Sequence, residues 1–105
     1  VMPPTIITID QFEYVDGVAS EDMQVLFRNY INSGINDSMF EISDLIAIAT
    51  ANGATSVRLT GMDISYVQYD RNGERTTGTI NDSITISGLT AYYTDLTQLQ
   101  GVTRL

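Results

Sequence analysis

The sequence predicts an α+β domain, with two helices packed on one face of a small, mainly antiparallel sheet in the order strand, helix, helix, strand hairpin. Three observations carry that expectation. A single apolar stripe at helical spacing follows Ser20, a second apolar stretch follows Ser43, and from Thr55 onward the hydrophobic period switches from 3.6 to two. With 105 residues, 43% of them hydrophobic, the chain has the size of one domain that buries a core without disulfides or metal.

Val1 to Pro4 contains two prolines, which remove donors and hold their neighbours extended, so residues 1–4 read as a linker. Thr5 to Asp10, rich in Ile and Thr, predicts a strand. Phe12, Tyr14 and Val15 continue out of phase with Ile7 and Ile9, which places a bulge or a strand end near Gln11. Asp16-Gly17 signals a turn. Ser20 then stands as N-cap, with Glu21 and Asp22 in the first turn where the helix dipole favours negative charge. Met23, Leu26, Phe27, Tyr30 and Ile31 form the inner stripe of that helix, and Gly34 suits its left-handed exit. After a turn at Asn36-Asp37-Ser38 and an extended Met39 to Ile42, Ser43 caps a second helix. Asp44 opens it, Leu45, Ile48 and Ala49 line its inner side, and Gly53 closes it.

Val57 and Leu59 then alternate with polar residues, and Met62, Ile64 and Tyr66 do so in the opposite phase, which marks Gly61 as a kink. Asp70-Arg71-Asn72-Gly73 has the residues of a hairpin turn, with a return strand from about Glu74 to Ile80 and a further short strand from Ser83 to Ser87. Residues 5–88 therefore form the domain. Beyond Gly88 the chain is apolar at intervals without a sharp helical period: Leu89, Tyr92, Tyr93, Leu96, Leu99, Val102 and Leu105. The helices are expected to cover one sheet face, and Ser65, Gln68, Thr77, Thr79 and Thr85 suit the other to water. Residues 89–105 thus read as an apolar tail that docks on another protomer or partner, through Leu89, Tyr92, Tyr93, Leu96 and Leu99, with the two tyrosines as anchors.

Composition narrows the chemistry. The chain has no Cys and no His, which excludes disulfides, Cys/His zinc sites and thiol or imidazole catalysis. Without His or Lys, Ser and Thr also lack an activating base. Glu41 with Asp44 or Asp37 is a local carboxylate cluster, yet a helix start explains it. Asp70 to Glu74 does not follow the order of a calcium loop, and Asn36-Asp37-Ser38 and Asn81-Asp82-Ser83 read as turns although both fit a glycosylation acceptor. No catalytic residue, cofactor or metal is expected. Net charge is −8, and residues 1–50 hold eight acids against Arg28 alone. Such a surface repels nucleic acid and anionic membrane and tolerates a basic protein patch. The longest apolar run, Leu45 to Ala49, is far short of the roughly 20 residues of a spanning helix, so the chain reads as soluble.

From Thr5 to Leu59, the order is strand, a helix ending in Tyr30-Ile31, a break at Ser33-Gly34-Ile35, extended Met39 to Ile42, the Ser43-Asp44-Leu45 helix, Gly53, then Val57-Arg58-Leu59. This order resembles the C-terminal part of baseplate J-like proteins, wedge components of contractile phage tails and related injection machines. The resemblance implies a non-enzymatic structural assembly domain of the virion tail baseplate, made in the host cytoplasm. It would act by protein–protein contacts with copies of itself, as a homo-oligomer, and with neighbouring baseplate proteins. The rival expectation is a ligand- or receptor-binding, adhesin-like module contacting its target through the hairpins and through Tyr66, Tyr69, Tyr92 and Tyr93.

Overall fold

The computed structural model describes residues 5–33, 39–59, 63–69, 72–80, 83–85 and 92–105. In chain order these form β1 (Thr5–Ile9), β2 (Phe12–Val15), α1 (Ser20–Asn32), β3 (Met39–Glu41), α2 (Ile42–Ala51), β4 (Ser56–Arg58), β5 (Ile64–Tyr69), β6 (Arg75–Thr79), β7 (Ser83–Thr85), β8 (Tyr92–Tyr93), a 3₁₀ turn at Leu96–Leu99 and β9 (Val102–Arg104). The class is α+β, as expected, but the sheet is divided. The strand orders are β6-β5-β1-β8, β4-β2-β9 and a separate β3-β7 pair. β1 pairs antiparallel with β5 and parallel with β8, and β2 pairs antiparallel with β4 and parallel with β9. One N-terminal ribbon, β1 and β2 together, is thus the inner strand of both larger sheets.

The ribbon stays inside because it shifts phase at Asp10 and Gln11. Strict alternation after Ile7 and Ile9 would turn Phe12 and Tyr14 to solvent. Instead the N–H groups of Asp10 and Gln11 both donate to the Asp63 carbonyl, at 2.6 and 3.2 Å, the two-against-one pattern of a bulge. Ile7, Ile9, Phe12 and Tyr14 are all buried as a result. On the other side of the kink the Phe12 N–H donates to the Gly101 carbonyl at 2.9 Å, and a Cβ on Gly101 would overlap the Asp10 carbonyl.

Helix α1 buries Met23, Phe27 and Ile31, with Leu26 and Tyr30 half-buried beside them. The Phe27 ring meets Phe12 edge-on, with centroids 4.8 Å apart, and so joins the helix to the ribbon. Neither serine is a cap. α1 starts at Ser20 with Ala19 in the cap position, and α2 starts at Ile42 with Glu41 in that position, without a side-chain capping bond in either case. β3 explains the second difference: Glu41 is still extended and pairs with Ser83, so the helix begins directly where the strand ends and Ser43 falls inside its first turn.

The exit of α2 is as expected. Gly53 has φ of +100°, its N–H reaches the Thr50 carbonyl at 3.1 Å, and the Ala54 N–H reaches Ala49 at 3.0 Å, a complete Schellman closure. This turn abuts the turn between β2 and α1, where Gly17 has φ of +97°. A Cβ on Gly53 would lie 2.9 Å from the Gly17 Cα.

The hairpin of β5 and β6 pairs Tyr69 with Arg75 and Ser65 with Thr79, and Gly73 is left-handed (φ +82°), while Asp70 and Arg71 of the expected turn lie outside the described residues. Ile64 faces the core and Tyr66 lies across Gly78, where a Cβ would meet its ring at 2.8 Å. The expected kink at Gly61, the helix exit at Gly34 and the outer part of the strand ending at Ser87 lie outside the described residues.

Residues 92–105 are not a separate tail. They add a parallel strand to each of the larger sheets, and Tyr92, Leu99 and Val102 belong to the core. Phe27→Ala is expected to lower stability by about 3 to 5 kcal/mol, because a ring with no exposed surface leaves a cavity between helix and ribbon. A chemical-denaturation midpoint equal to that of the parent chain would contradict the packing. Gly101→Ala is expected to cost clearly more than the roughly 0.5 kcal/mol of an ordinary surface change, since backbone has to move at the kink. Thermal unfolding within that small range would show that the crossing is looser than drawn.

Candidate protein interface

Of the five residues expected to meet a partner, the structure withdraws two. Tyr92 is 4% exposed and Leu99 is 0% exposed, so neither anchors a neighbour, while Leu89 lies outside the described residues. Tyr93 and Leu96 do face outward, at 41% and 36% exposed.

What holds residues 92–105 to the domain is a set of side-chain bonds to their backbone. Ser20, Gln24 and Asn32 project from α1 at intervals of four and eight residues. The Ser20 hydroxyl accepts the Arg104 N–H at 2.9 Å, and the Gln24 amide donates to the Val102 carbonyl at 3.0 Å. Asn32 bonds Thr94 twice, accepting its N–H at 2.8 Å and donating to its carbonyl at 3.1 Å. The buried Thr94 hydroxyl donates to the Ile7 carbonyl at 2.8 Å. Asp95 and Gln98 close a capping box over the 3₁₀ turn, with the Thr97 N–H 2.9 Å from the Asp95 carboxylate and the Asp95 N–H 3.1 Å from the Gln98 side chain. The spacing Asp95-Leu96-Thr97-Gln98 is the one sequence signal that marks this turn.

Outward-facing residues are fixed by register. Tyr93 lies beside Ile6, Ile6 beside Val67, and Val67 beside Thr77, a row that crosses all four strands of the larger sheet. Thr8, Ser65 and Thr79 make the next row, and Tyr69 with Arg75 flanks the first on its other side. The Ser65 hydroxyl donates to the Asp10 carboxylate at 3.3 Å beyond the hydroxyl row. The outer face is therefore less polar than expected. Ser65, Thr77 and Thr79 are on it, but Gln68 alternates to the other side, and Ile6, Val67 and Tyr93 interrupt the hydroxyls.

A shallow groove of about 400 Å³ opens on the second sheet, lined by Val15, Val57, Leu59 and Leu105 together with Glu13, Ser56 and Arg58. Leu105 is 61% exposed there. The Glu13 carboxylate accepts from Gln11 at 2.6 Å and faces the Arg58 guanidinium at 3.9 Å, a solvated pair worth little to stability.

The acidic cluster around Glu41 and Asp44 has a structural use. The Tyr30 hydroxyl donates to the Asp44 carboxylate at 2.6 Å and accepts the Glu41 N–H at 3.5 Å, which ties α1 to the start of α2. Tyr30, Phe40 and Tyr92 pack in a chain, the first pair tilted and the second edge-on, with centroids 5.9 and 5.8 Å apart, and the Tyr92 hydroxyl accepts the Phe40 N–H at 3.3 Å. Among the described residues no group of three or more Asp, Glu, Cys or His side chains is placed to hold a metal ion, and no helix is long and apolar enough to cross a membrane. Compared with protein families, with curated proteins and with solved structures, the chain matches none.

Burial, and then the hydrogen bond to Asp44, push the Tyr30 phenol up to about 12 from its ordinary 10.0. The native state therefore holds this proton more tightly than the unfolded chain. The stability it contributes is complete below pH 10.0 and is lost as pH rises through about 12. Tyr30→Phe is expected to flatten that part of the stability profile and to remove one late-ionising phenol from the ultraviolet titration. Loss of a phenol that titrates at the ordinary 10.0 in place of the late one would show that Tyr30 is not the shifted group.

Proposed function

We propose that this chain is a structural assembly domain acting through protein–protein contacts, in the setting its first half resembles, the wedge of a contractile-tail baseplate. The observation that supports the reading is the outward row of Tyr93, Ile6 and Val67, with Leu96 exposed nearby. On one sheet face the exposed Tyr93 ring aligns with the half-buried Ile6 and Val67, next to a row of hydroxyls. A rigid aromatic anchor in an apolar patch with a polar rim has the composition of a contact surface. The partners are other copies of the chain and neighbouring baseplate proteins, with the chain oligomeric in the assembled state and located in the virion. The excess of acids favours a basic neighbouring surface.

Light scattering across a range of concentrations tests the contact. Self-association is expected for the parent chain and is expected to weaken in Tyr93→Ser and Val67→Ser variants whose circular dichroism is unchanged. A parent chain that stays monomeric at every concentration would remove self-assembly through this face. The baseplate setting has its own test, mass spectrometry of purified tail particles from the source, and absence of the chain from them would overturn it.

A further inference from the structure

The outer strand of a sheet exposes a row of backbone N–H and C=O groups that can template a further strand, and this fold covers one end and leaves the other open. At the end formed by the C-terminal segment, α1 stands in for a neighbouring strand. The Phe12 N–H bonds Gly101 and the Leu105 N–H bonds Tyr14, so residues 101 and 105 face β2 and, by alternation, Val102 and Arg104 face away from it. Those outward groups are taken up by Ser20, which accepts the Arg104 N–H at 2.9 Å, and by Gln24, which donates to the Val102 carbonyl at 3.0 Å. Just beyond β8, Asn32 takes both backbone groups of Thr94. At the far end of the larger sheet, β6 has β5 as its one partner among the described residues. The Ile80 N–H donates to the Ile64 carbonyl at 2.8 Å in the register of that pair, so Gly78 and Thr76 bond β5 while the N–H and C=O groups of Arg75, Thr77 and Thr79 point outward. Among the described residues no side chain takes these groups up, and Arg75, Thr76, Thr77 and Thr79 are exposed. Strands β3, β4 and β7 have three residues each and offer no comparable row.

We propose that β6 is a self-pairing edge: the β6 strands of two copies align antiparallel about a two-fold axis at Thr77 and join their four-stranded sheets into one. The proposal rests on the reading that copies of this chain associate, and it names the contact. The outward groups recur at every second residue and are centred on Thr77. In this register Thr77 meets Thr77 of the second copy, and Arg75 meets Thr79 of the second copy at either end, each a pair that exchanges both backbone bonds. Charge selects the direction. Arg75 is the one charged residue of the strand, and antiparallel pairing sets the two arginines at opposite ends, whereas parallel pairing in register sets them side by side. A chain of net charge −8 repels itself over most of its surface, yet none of its thirteen acids lies within Arg75–Thr79. The devices that blunt an edge are also missing: the strand has no Pro and no Lys, and its register with β5 runs without a bulge. Thr76, Thr77 and Thr79 are β-branched, and threonines directly opposite each other favour cross-strand pairing. Thr77 ends the row of Tyr93, Ile6 and Val67, so the pairing runs two such rows together across the joined sheet.

The test is analytical ultracentrifugation of the full chain over a range of concentrations, with variants at position 77. Thr77→Pro removes an N–H that points away from β5 and leaves the bonds to β5 in place, so self-association is expected to weaken about tenfold or more with circular dichroism unchanged. Thr77→Lys and Thr77→Glu each set like charges opposite each other across the axis. Each is expected to weaken self-association about fivefold, and an equal mixture of the two is expected to restore it. That rescue requires residue 77 of one copy to face residue 77 of the other, and it carries the test by itself if the proline variant misfolds. A parent chain that associates with no response to any of the three substitutions, or charge variants whose mixture stays weak, would overturn this contact and leave self-association through the apolar face standing. A parent chain that is monomeric at every concentration would overturn both.

Discussion

The kink at Asp10 and Gln11 is the constraint on which the other elements depend. One carbonyl, from Asp63, takes the N–H groups of both residues, and this moves the phase of the ribbon by one position. Ile7 and Ile9 before it and Phe12 and Tyr14 after it can then share a core with α1. The same kink divides the sheet, because β5 follows the first half of the ribbon and β4 the second. It also explains why residue 101 is glycine: the returning chain reaches its bond to Phe12 only by passing against the bent backbone at Asp10. Geometry at two residues thus sets the strand order, the core and the path of the C-terminal segment.

How much of this was legible in the sequence follows from how local each signal is. The stripe of Met23, Phe27 and Ile31 repeats within one helix, and the phase change between Ile9 and Phe12 lies within one ribbon, so both were readable without neighbours. Gly53 was readable for the same reason, since a helix exit is decided by a few adjacent residues. The caps were misplaced because a helix start also depends on what precedes it, and the pairing of Glu41 with a strand more than forty residues later is invisible in the local pattern.

Residues 92–105 were misread for a related reason. Their attachment to α1 uses backbone groups on one side and Ser20, Gln24 and Asn32 on the other, so the segment itself carries no periodic signature. An apolar stretch without a period reads as uncovered surface. Tyr92 and Tyr93 show the cost of that reading, as adjacent residues of one short strand with opposite fates, one packed edge-on against Phe40 and the other 41% exposed. Of the candidate interface, the alternation of β1 and β5 was available beforehand, but the alignment of Ile6, Val67 and Tyr93 into one row exists only once the register is known.

The parallel placement of β8 beside β1 and of β9 beside β2 bears on how the chain folds as it is made. The bond from Thr94 to Ile7 spans 87 residues, and contacts of such separation form late because a long loop has to close first. While the chain emerges from the ribosome, the Ile-rich β1 has neither flanking strand, since β5 and β8 are both synthesised after it. The helix that covers its apolar face and the strand that takes one edge are made earlier, but the edge that β8 takes stays open until nearly all of the described residues exist. β1, whose Ile7 and Ile9 are fully buried in the finished fold, therefore carries an edge open to mispairing for most of synthesis.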